Sequence, residues 1–322
     1  MPKVSVIVPI YNVEKYIERC LRSLFEQTLD DIEYIFVNDC TLDNSMIILE
    51  KVLKEYPHRI KQVKIINHEQ NQGQAGARTS GMKAMTGEYM IHCDPDDWVE
   101  LNMYNEMYTR AKETFADIVV SDLYEEYANK QIYVSLYSEK SSQEIIMSDE
   151  ALNTRWYLPC RLIKTDIITQ HSIYPIEGIN ILEDMTILFK IYFYSSLIEY
   201  LQYPYYHYNK SNDSSITNST RSNPIVIRQQ ILAIKYIEKF LTKNGIRNNN
   251  FIYYWKILLK DRFLNLNPAL YTEWKETFPE ISRHVKAAKN DSVIYRNLYY
   301  FAHKYYVVLI LFRFYHFLSS LK

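Results

Sequence analysis

Four times within residues 4–98 the chain alternates a short apolar run with a stretch of helical periodicity, and this alternation constrains the fold more than any other feature. Residues 4–8, Val-Ser-Val-Ile-Val, form a β-branched run of the kind a strand buried on both faces requires. The run stops at Pro9, and Asn12 is placed to cap a helix that carries Ile17, Cys20, Leu21, Leu24 and Phe25 at helical spacing. Residues 32–37 read as a second strand ending in Asn38-Asp39. Asp43-Asn44-Ser45 then opens a helix bearing Ile47, Ile48, Val52 and Leu53. Residues 63–66 are a third strand, and residues 71–78, Asn-Gln-Gly-Gln-Ala-Gly-Ala-Arg, open a third helix. Residues 89–93 are too short for a helix and lie between Gly87 and Pro95, which makes them a fourth strand. Alternation of this kind predicts an α/β unit around a mainly parallel sheet.

The polar residues gather where the strands end. Asn12 follows the first, Asp39 the second, and Asp94 and Asp96 the fourth. Open α/β sheets bind ligands outside the carboxyl ends of their strands. In an extended chain residues i and i+2 point the same way, so Asp94 and Asp96 would face one bound object. Hard oxygen ligands suit Mg²⁺ or Mn²⁺ carrying a phosphate-bearing substrate. Asp-Pro-Asp-Asp is equally good turn chemistry, and these residues alone leave both readings open.

Several function classes are excluded by what the loops lack. No Gly-x-Gly-x-x-Gly follows the first strand, no Walker loop occurs, and there is no Gly-x-Ser-x-Gly elbow. Read alone, Gly73 and Gly76 are loop and helix-start glycines. The net charge of −1 argues against nucleic acid as a partner, because binding to a phosphate backbone needs a basic surplus. The four cysteines, Cys20, Cys40, Cys93 and Cys160, have no metal-site spacing and read as reduced thiols in a cytosolic protein. The apolar run at the start is too short for a signal peptide, and no stretch reaches the length of a membrane span.

Residues 4–98 resemble the N-terminal half of the family 2 glycosyltransferases, which have the GT-A fold. The resemblance rests on four segments in order: Val-Ser-Val-Ile-Val-Pro-Ile-Tyr-Asn, Val-Asn-Asp-Cys-Thr-Leu-Asp-Asn-Ser, Asn-Gln-Gly-Gln-Ala-Gly-Ala-Arg and Asp-Pro-Asp-Asp-Trp. It implies that Pro9, Tyr11, Asn12, Asp39, Gly73, Arg78 and Asp94 surround a nucleotide-sugar, with Asp39 toward the base and Asp94 toward the ribose. It further implies that Asp96 binds Mn²⁺ or Mg²⁺. Cys40 departs from the family pattern, which usually has glycine there; if the position needs a positive φ, cysteine carries mild strain.

Further along, residues 118–120 predict another strand, and the polar, tyrosine-studded stretch to Ser148 a hairpin or loop. Trp156 begins a segment similar to the family's Trp-Asn-Lys-Leu-Tyr but without its Asn. Glu183-Asp184, ahead of an apolar run, is by itself a helix start with charge that favours the helix dipole. The resemblance makes Asp184 the catalytic base and Glu183 its neighbour on the acceptor side. Relatives often place an arginine after the tyrosines of residues 205–208, where this chain has Asn209 and Lys210; Lys210 or His207 is a candidate to meet the diphosphate instead, with a solvated loop as the equal alternative.

Residues 225–241 and 251–264 are helical by periodicity, with Gly245 stopping the first. Residues 293–322 contain no Asp or Glu and mix Arg296, Lys304, Arg313 and Lys322 with aromatics. That composition suggests an interfacial membrane helix, although Lys304 and Arg313 share no face; a helix packed on the catalytic domain or a partner subunit is the alternative. The expected organisation is a catalytic domain over 1–222, with a nucleotide-binding half to 120 and an acceptor half from 121, followed by a helical region over 223–322.

The resulting expectation is an inverting, metal-dependent transferase at the inner face of the cell membrane. It would move a sugar from a nucleotide-diphosphate sugar, UDP-linked first among them, to a hydroxyl of a saccharide or lipid-linked saccharide. A non-catalytic sugar-nucleotide binder within a polysaccharide assembly complex is the alternative.

Overall fold

The structure, a computed structural model, describes residues 1–148, 151, 154–212, 223–247, 249–266 and 271–283. The chain divides into two compact units, residues 1–146 with 153–215, and residues 147–152 with 216–322.

The first unit is built on the alternation read from the sequence. Strands β1 (Val4–Ile10), β2 (Ile32–Asn38), β3 (Val63–Asn67) and β4 (Tyr89–His92) run parallel in the spatial order β3-β2-β1-β4. β1 and β4 are buried along their whole lengths, which their apolar runs require. Helices α1 (Ile17–Phe25), α2 (Ser45–Glu55) and α3 (Gly73–Ala84) connect them. The chain leaves β1 toward β2 and β3, then returns to β4 on the other side of β1. This reversal opens a crevice beyond the carboxyl ends of β1, β2 and β4.

Two local expectations are corrected. Helix α1 buries Ile17, Cys20, Leu21, Leu24 and Phe25 as its spacing predicts, but its N-cap is Tyr16 and no side chain caps it. Asn12 instead takes a left-handed conformation, φ 53°, and gives its N–H to Thr41 Oγ1 at 2.8 Å. It is a bend between strand and helix. In α2 the buried face is Ser45, Leu49 and Val52, while Ile47 is 65% exposed. Helix α2 packs on α1 and on the turn of Pro57–Gln62, which leaves Ile47 turned to water.

The sheet continues past β4 through β8 (Arg161–Lys164), β6 (Ile118–Tyr127), β9 (Ile198–Asn209) and β5 (Trp98–Val99), with β7 (Lys130–Val134) hairpinned onto β6. β8 is antiparallel to β4, β6 antiparallel to β8, β9 parallel to β6, and β5 antiparallel to β9. β6 is far longer than its apolar core suggests, because its polar second half pairs with β7 and β9. Helices α4 (Met103–Thr114), α5 (Ser142–Met147), α6 (Thr165–His171) and α7 (Glu183–Tyr194) complete the layers.

In the second unit, α8 (Pro224–Lys243) starts with Asn223 accepting from Ile225 N–H at 2.9 Å and proline at N1. Gly245 lies beyond its end at φ +82°. Packed beside α8 is α9 (Asn250–Leu266), whose buried Lys256 pairs with Glu238 at 2.6 Å. Helix α10 (Tyr271–Glu276) follows. Among the described residues no helix is long and apolar enough to cross a membrane. The basic aromatic stretch 293–322 lies outside the described residues.

Candidate functional site

Arg78 sits at the centre of the crevice, on α3, with its side chain 1% exposed. Its Nη2 donates to Asp94 Oδ1 at 2.9 Å and its Nη1 to Glu183 Oε1 at 2.9 Å. Nη1 also donates to Asp184 Oδ1. One planar guanidinium thus ties the end of β4 to the first turn of α7. The fork geometry of arginine, which presents two edges to separate carboxylates, allows this; a lysine could not span both.

The charges do not balance. Three carboxylates face one cation in a site largely shielded from water. Burial opposes the charge on Arg78, but Asp184, Asp94 and Glu183 outweigh it and push its pKa up. Burial followed by the repulsion of Asp184 pushes Glu183 up to about 8. Burial also raises Asp184, with Arg78 pulling the other way and Asp94 adding to the rise. The cluster therefore holds a proton more readily than free carboxylates do. Asp184 is the more open of the pair, its side chain 23% exposed against 9% for Glu183. A raised, accessible carboxylate is suited to accept a proton.

Asp94 to Asp97 is a turn rather than a continued strand. Asp97 N–H returns to the Asp94 carbonyl at 3.1 Å. The extended alternation expected for Asp94 and Asp96 gives way, because Pro95 cannot donate to a ladder and favours the second position of a turn. The turn is held from β9 and the residues just beyond it. Tyr206 OH accepts from Asp94 N–H at 3.2 Å and donates to Asp97 Oδ2 at 2.6 Å. Asn209 N–H donates to Asp97 Oδ1 at 2.7 Å, and its amide reaches the Asp96 carbonyl at 3.2 Å. Asn212 donates to Asp96 Oδ2 at 2.8 Å. Burial, then repulsion from Asp94, raises the Asp96 pKa, while Asn212 lowers it. Asp97 is buried and fully engaged in shaping the turn.

These observations bear on a cation. Asp96 offers a desolvated carboxylate beside Asp94, with one oxygen turned to Asn212, and an oxygen-only donor set fits Mg²⁺ or Mn²⁺. Among the described residues no group of three His, Cys, Asp or Glu side chains forms a closed metal site. A cation here would need further oxygens from water or substrate, the usual condition for Mg²⁺.

Asp39 closes the crevice on the β2 side and is 2% exposed. Its carboxylate accepts from Gln72 N–H and Gly73 N–H, both at 2.8 Å, and meets His68 Nδ1 at 2.7 Å. It thus serves the N-terminus of α3, where backbone N–H groups lack helical partners. Gly73 has φ +76°, and a Cβ there would lie 2.6 Å from Asn180 Oδ1, so both conformation and space require glycine. Asn180 Oδ1 in turn accepts from Ala75 N–H at 3.0 Å. Cys40, beside Asp39, has φ 59°, the left-handed conformation expected for that position. Pro9 is buried in β1, while Tyr11 and Asn12 stand exposed at its end.

Three other candidates lie elsewhere. Trp156 packs its ring on Phe189 and Tyr192, which steadies the helix that begins with Glu183-Asp184. His207 is gripped between Glu126 at 2.7 Å and Glu100 at 2.8 Å and stacks on Trp98. Lys210 lies over the Tyr208 ring at 4.2 Å, with Glu125 at 3.8 Å. His207 and Lys210 are therefore engaged with the carboxylates of β6 and its neighbours. Sequence reasoning missed His68, Asn180, Tyr206 and Asn212. Each acts by holding another residue, and only the tyrosine-rich strand gave any signal.

The comparisons with known proteins agree with this geometry. The model for glycosyl transferase family 2 matches residues 5–171. A Bacillus subtilis protein named as a glycosyltransferase, EpsH, is 31% identical over 214 residues, which cover 64% of this chain and 60% of EpsH. This chain therefore spans about three fifths of the length of that relative. Among solved structures, Staphylococcus aureus TarS 1-349 in complex with UDP-GlcNAc superposes with a TM-score of 0.62 at 21% identity, covering 88% of this chain and 79% of that one. The Pyrobaculum calidifontis mannosyltransferase PcManGT, in complex with GDP-Man and Mn²⁺, has a TM-score of 0.53 at 13% identity, covering 96% of this chain and 86% of that one. These likenesses identify the architecture as the GT-A fold. With the family match extending over more than half its residues, the chain belongs to glycosyl transferase family 2.

Proposed function

We infer that the protein is an inverting glycosyltransferase that moves a sugar from a nucleotide-diphosphate sugar, a UDP-sugar first among them, to a hydroxyl of a saccharide or lipid-linked saccharide. The observation that carries this reading is the Arg78 clamp. It joins Asp94, at the end of the donor-side strand, to Asp184, whose raised pKa and partial exposure suit a base.

In this reading Asp184 takes the proton from the acceptor hydroxyl while that oxygen attacks the anomeric carbon from the face opposite the leaving diphosphate. A single displacement of this kind inverts the anomeric configuration. Asp94 holds the ribose, the Asp39 corner of the crevice receives the base, and Pro9, Tyr11, Asn12 and Gly73 line the approach; all act through orientation. Asp96 is the residue that would hold Mn²⁺ or Mg²⁺, which when bound neutralises charge on the leaving diphosphate. Glu183 keeps Arg78 fixed beneath the base. Staphylococcal relatives named as a teichoic acid poly(glycerol phosphate) polymerase and a poly(ribitol-phosphate) β-N-acetylglucosaminyltransferase support a setting in glycopolymer assembly; a place at the inner face of the membrane is part of the same proposal.

The test is sugar-nucleotide turnover against a panel of UDP-, GDP- and dTDP-sugars with Mn²⁺, alongside binding measured by thermal stabilisation. Binding without product from any donor and acceptor pair would favour a non-catalytic sugar-nucleotide subunit.

A further inference from the structure

A second feature of the first unit lies apart from the Arg78 cluster. Four rings form one cross-strand row over the β5-β9-β6-β7 part of the sheet. Trp98 opposes His207, His207 opposes Tyr124, and Tyr124 opposes Tyr133. Their centroids step across at 4.9, 5.6 and 6.1 Å. Residues in register share a face, so the row is continuous. Two residues along each of the last three strands runs a parallel polar row of Asn209, Glu126 and Gln131.

The row leads into a cleft of about 880 Å³ between α1 and the ends of β6 and β9, lined among others by Tyr16, Arg19, Trp98, Glu126, Tyr127 and Asn209. Its charged lining is balanced: Lys15, Arg19 and Arg22 against Glu18, Glu26 and Glu126. Arg19 lies over Trp98 at 3.2 Å, and its exposed guanidinium makes no hydrogen bond among the described residues. Glu126 spends Oε1 on His207 and Gln131, which leaves Oε2 without a hydrogen bond among the described residues.

We propose that this cleft and the aromatic row beside it bind a neutral saccharide chain, holding units of the acceptor glycan away from the bond being formed. A balanced set of charges selects no ion, and the guanidinium of Arg19 with the carboxylate of Glu126 supplies a donor and an acceptor of the kind sugar hydroxyls use. Arg19 and His207 cover the faces of Trp98, so the rings that can take the C–H surface of a sugar are Tyr133, exposed at the end of the row, and Tyr16 in the cleft wall. The cleft also borders the donor site, because Asn209 lines it and holds Asp96 and Asp97 by their carbonyl and carboxylate. This proposal rests on the glycosyltransferase reading only for the identity of the chain as acceptor; saccharide binding itself stands without it.

The experiment is ligand-observed saturation-transfer NMR on the full chain with maltohexaose, cellohexaose, chitohexaose and a glycerol phosphate oligomer. UDP binding is measured in parallel. At least one neutral hexasaccharide is expected to bind. Tyr133→Ala at the open end of the row, and separately Tyr16→Ala in the cleft wall, are each expected to weaken it about fivefold. Retained UDP affinity reports that the fold is intact. Absence of binding by all three saccharides overturns the proposal, as does binding that neither variant weakens. Tighter binding of the glycerol phosphate oligomer than of every saccharide overturns the ligand class. Loss of UDP binding by the unaltered protein counts against the donor reading and not against the cleft.

Discussion

Arg78 holds Asp94 at 2.9 Å through one nitrogen while its other nitrogen reaches Glu183 and Asp184, residues 105 and 106 positions further along the chain. A buried cation with three carboxylate partners is not a strong source of net stability, since each ion loses its water. Removing the cation is a different matter, because it strands the anions.

Arg78→Ala is therefore expected to cost about 3–5 kcal/mol in folding free energy. Arg78→Lys should restore little, since an ammonium cannot reach both edges. Urea denaturation of the three proteins measures this, and equal midpoints for Arg78→Lys and the parent chain would refute the clamp.

Asp184→Asn keeps the shape and removes the base. Transfer is expected to fall by about 10²–10⁴-fold, with nucleotide-sugar affinity nearly unchanged. Steady-state turnover and calorimetric binding separate the two effects. Transfer near the parental rate would reassign the base.

The pH dependence follows from the same cluster. Asp184 is raised by burial, so the acidic limb of kcat/KM should lie above the ordinary carboxylate range. Glu183, at about 8 in the folded protein against the ordinary 4.5 of a free glutamate, binds its proton more tightly when folded. Its contribution to stability is full below pH 4.5 and is lost as pH rises through about 8. Thermal midpoints measured across that window should fall, and Glu183→Gln should flatten the slope. An unchanged slope in the variant would assign the effect to other groups.

If Asp96 holds the cation, chelation with EDTA should abolish transfer, and Mn²⁺ or Mg²⁺ should restore it. Direct Mn²⁺ binding, followed by electron paramagnetic resonance in the presence of UDP, should be lost in Asp96→Ala. Metal binding that survives this change would place the cation elsewhere.

Cys40 has φ 59° and carries a side chain where the left-handed backbone costs about 1–2 kcal/mol. Cys40→Gly is expected to offset part of this strain, reduced by the greater freedom of glycine in the unfolded chain. A small rise in the thermal midpoint, with turnover unchanged, is the outcome to look for; a fall would show that the Cys40 side chain contributes contacts worth more than the strain.

The sequence by itself determined the parallel half of the fold. Residues 4–8, 32–37, 63–66 and 89–93 became β1 to β4, because the apolar runs of β1, β2 and β4 can be satisfied only inside a covered sheet, with β3 added at its partly open edge. It also marked Asp39, Asp94, Asp96 and Glu183-Asp184 as carboxylates outside regular apolar patterning. What it could not contain was their arrangement. That Asp94 turns back on Asp97, that Tyr206, Asn209 and Asn212 hold this turn, and that His207 is captured by Glu100 and Glu126 all follow from the register of β9 against β5 and β6. Register between strands a hundred residues apart is set by how whole faces pack, and no local periodicity encodes it. The same holds for Arg78. Its position at the start of a helix was legible, but its three partners were brought to it only when the sheet closed around them.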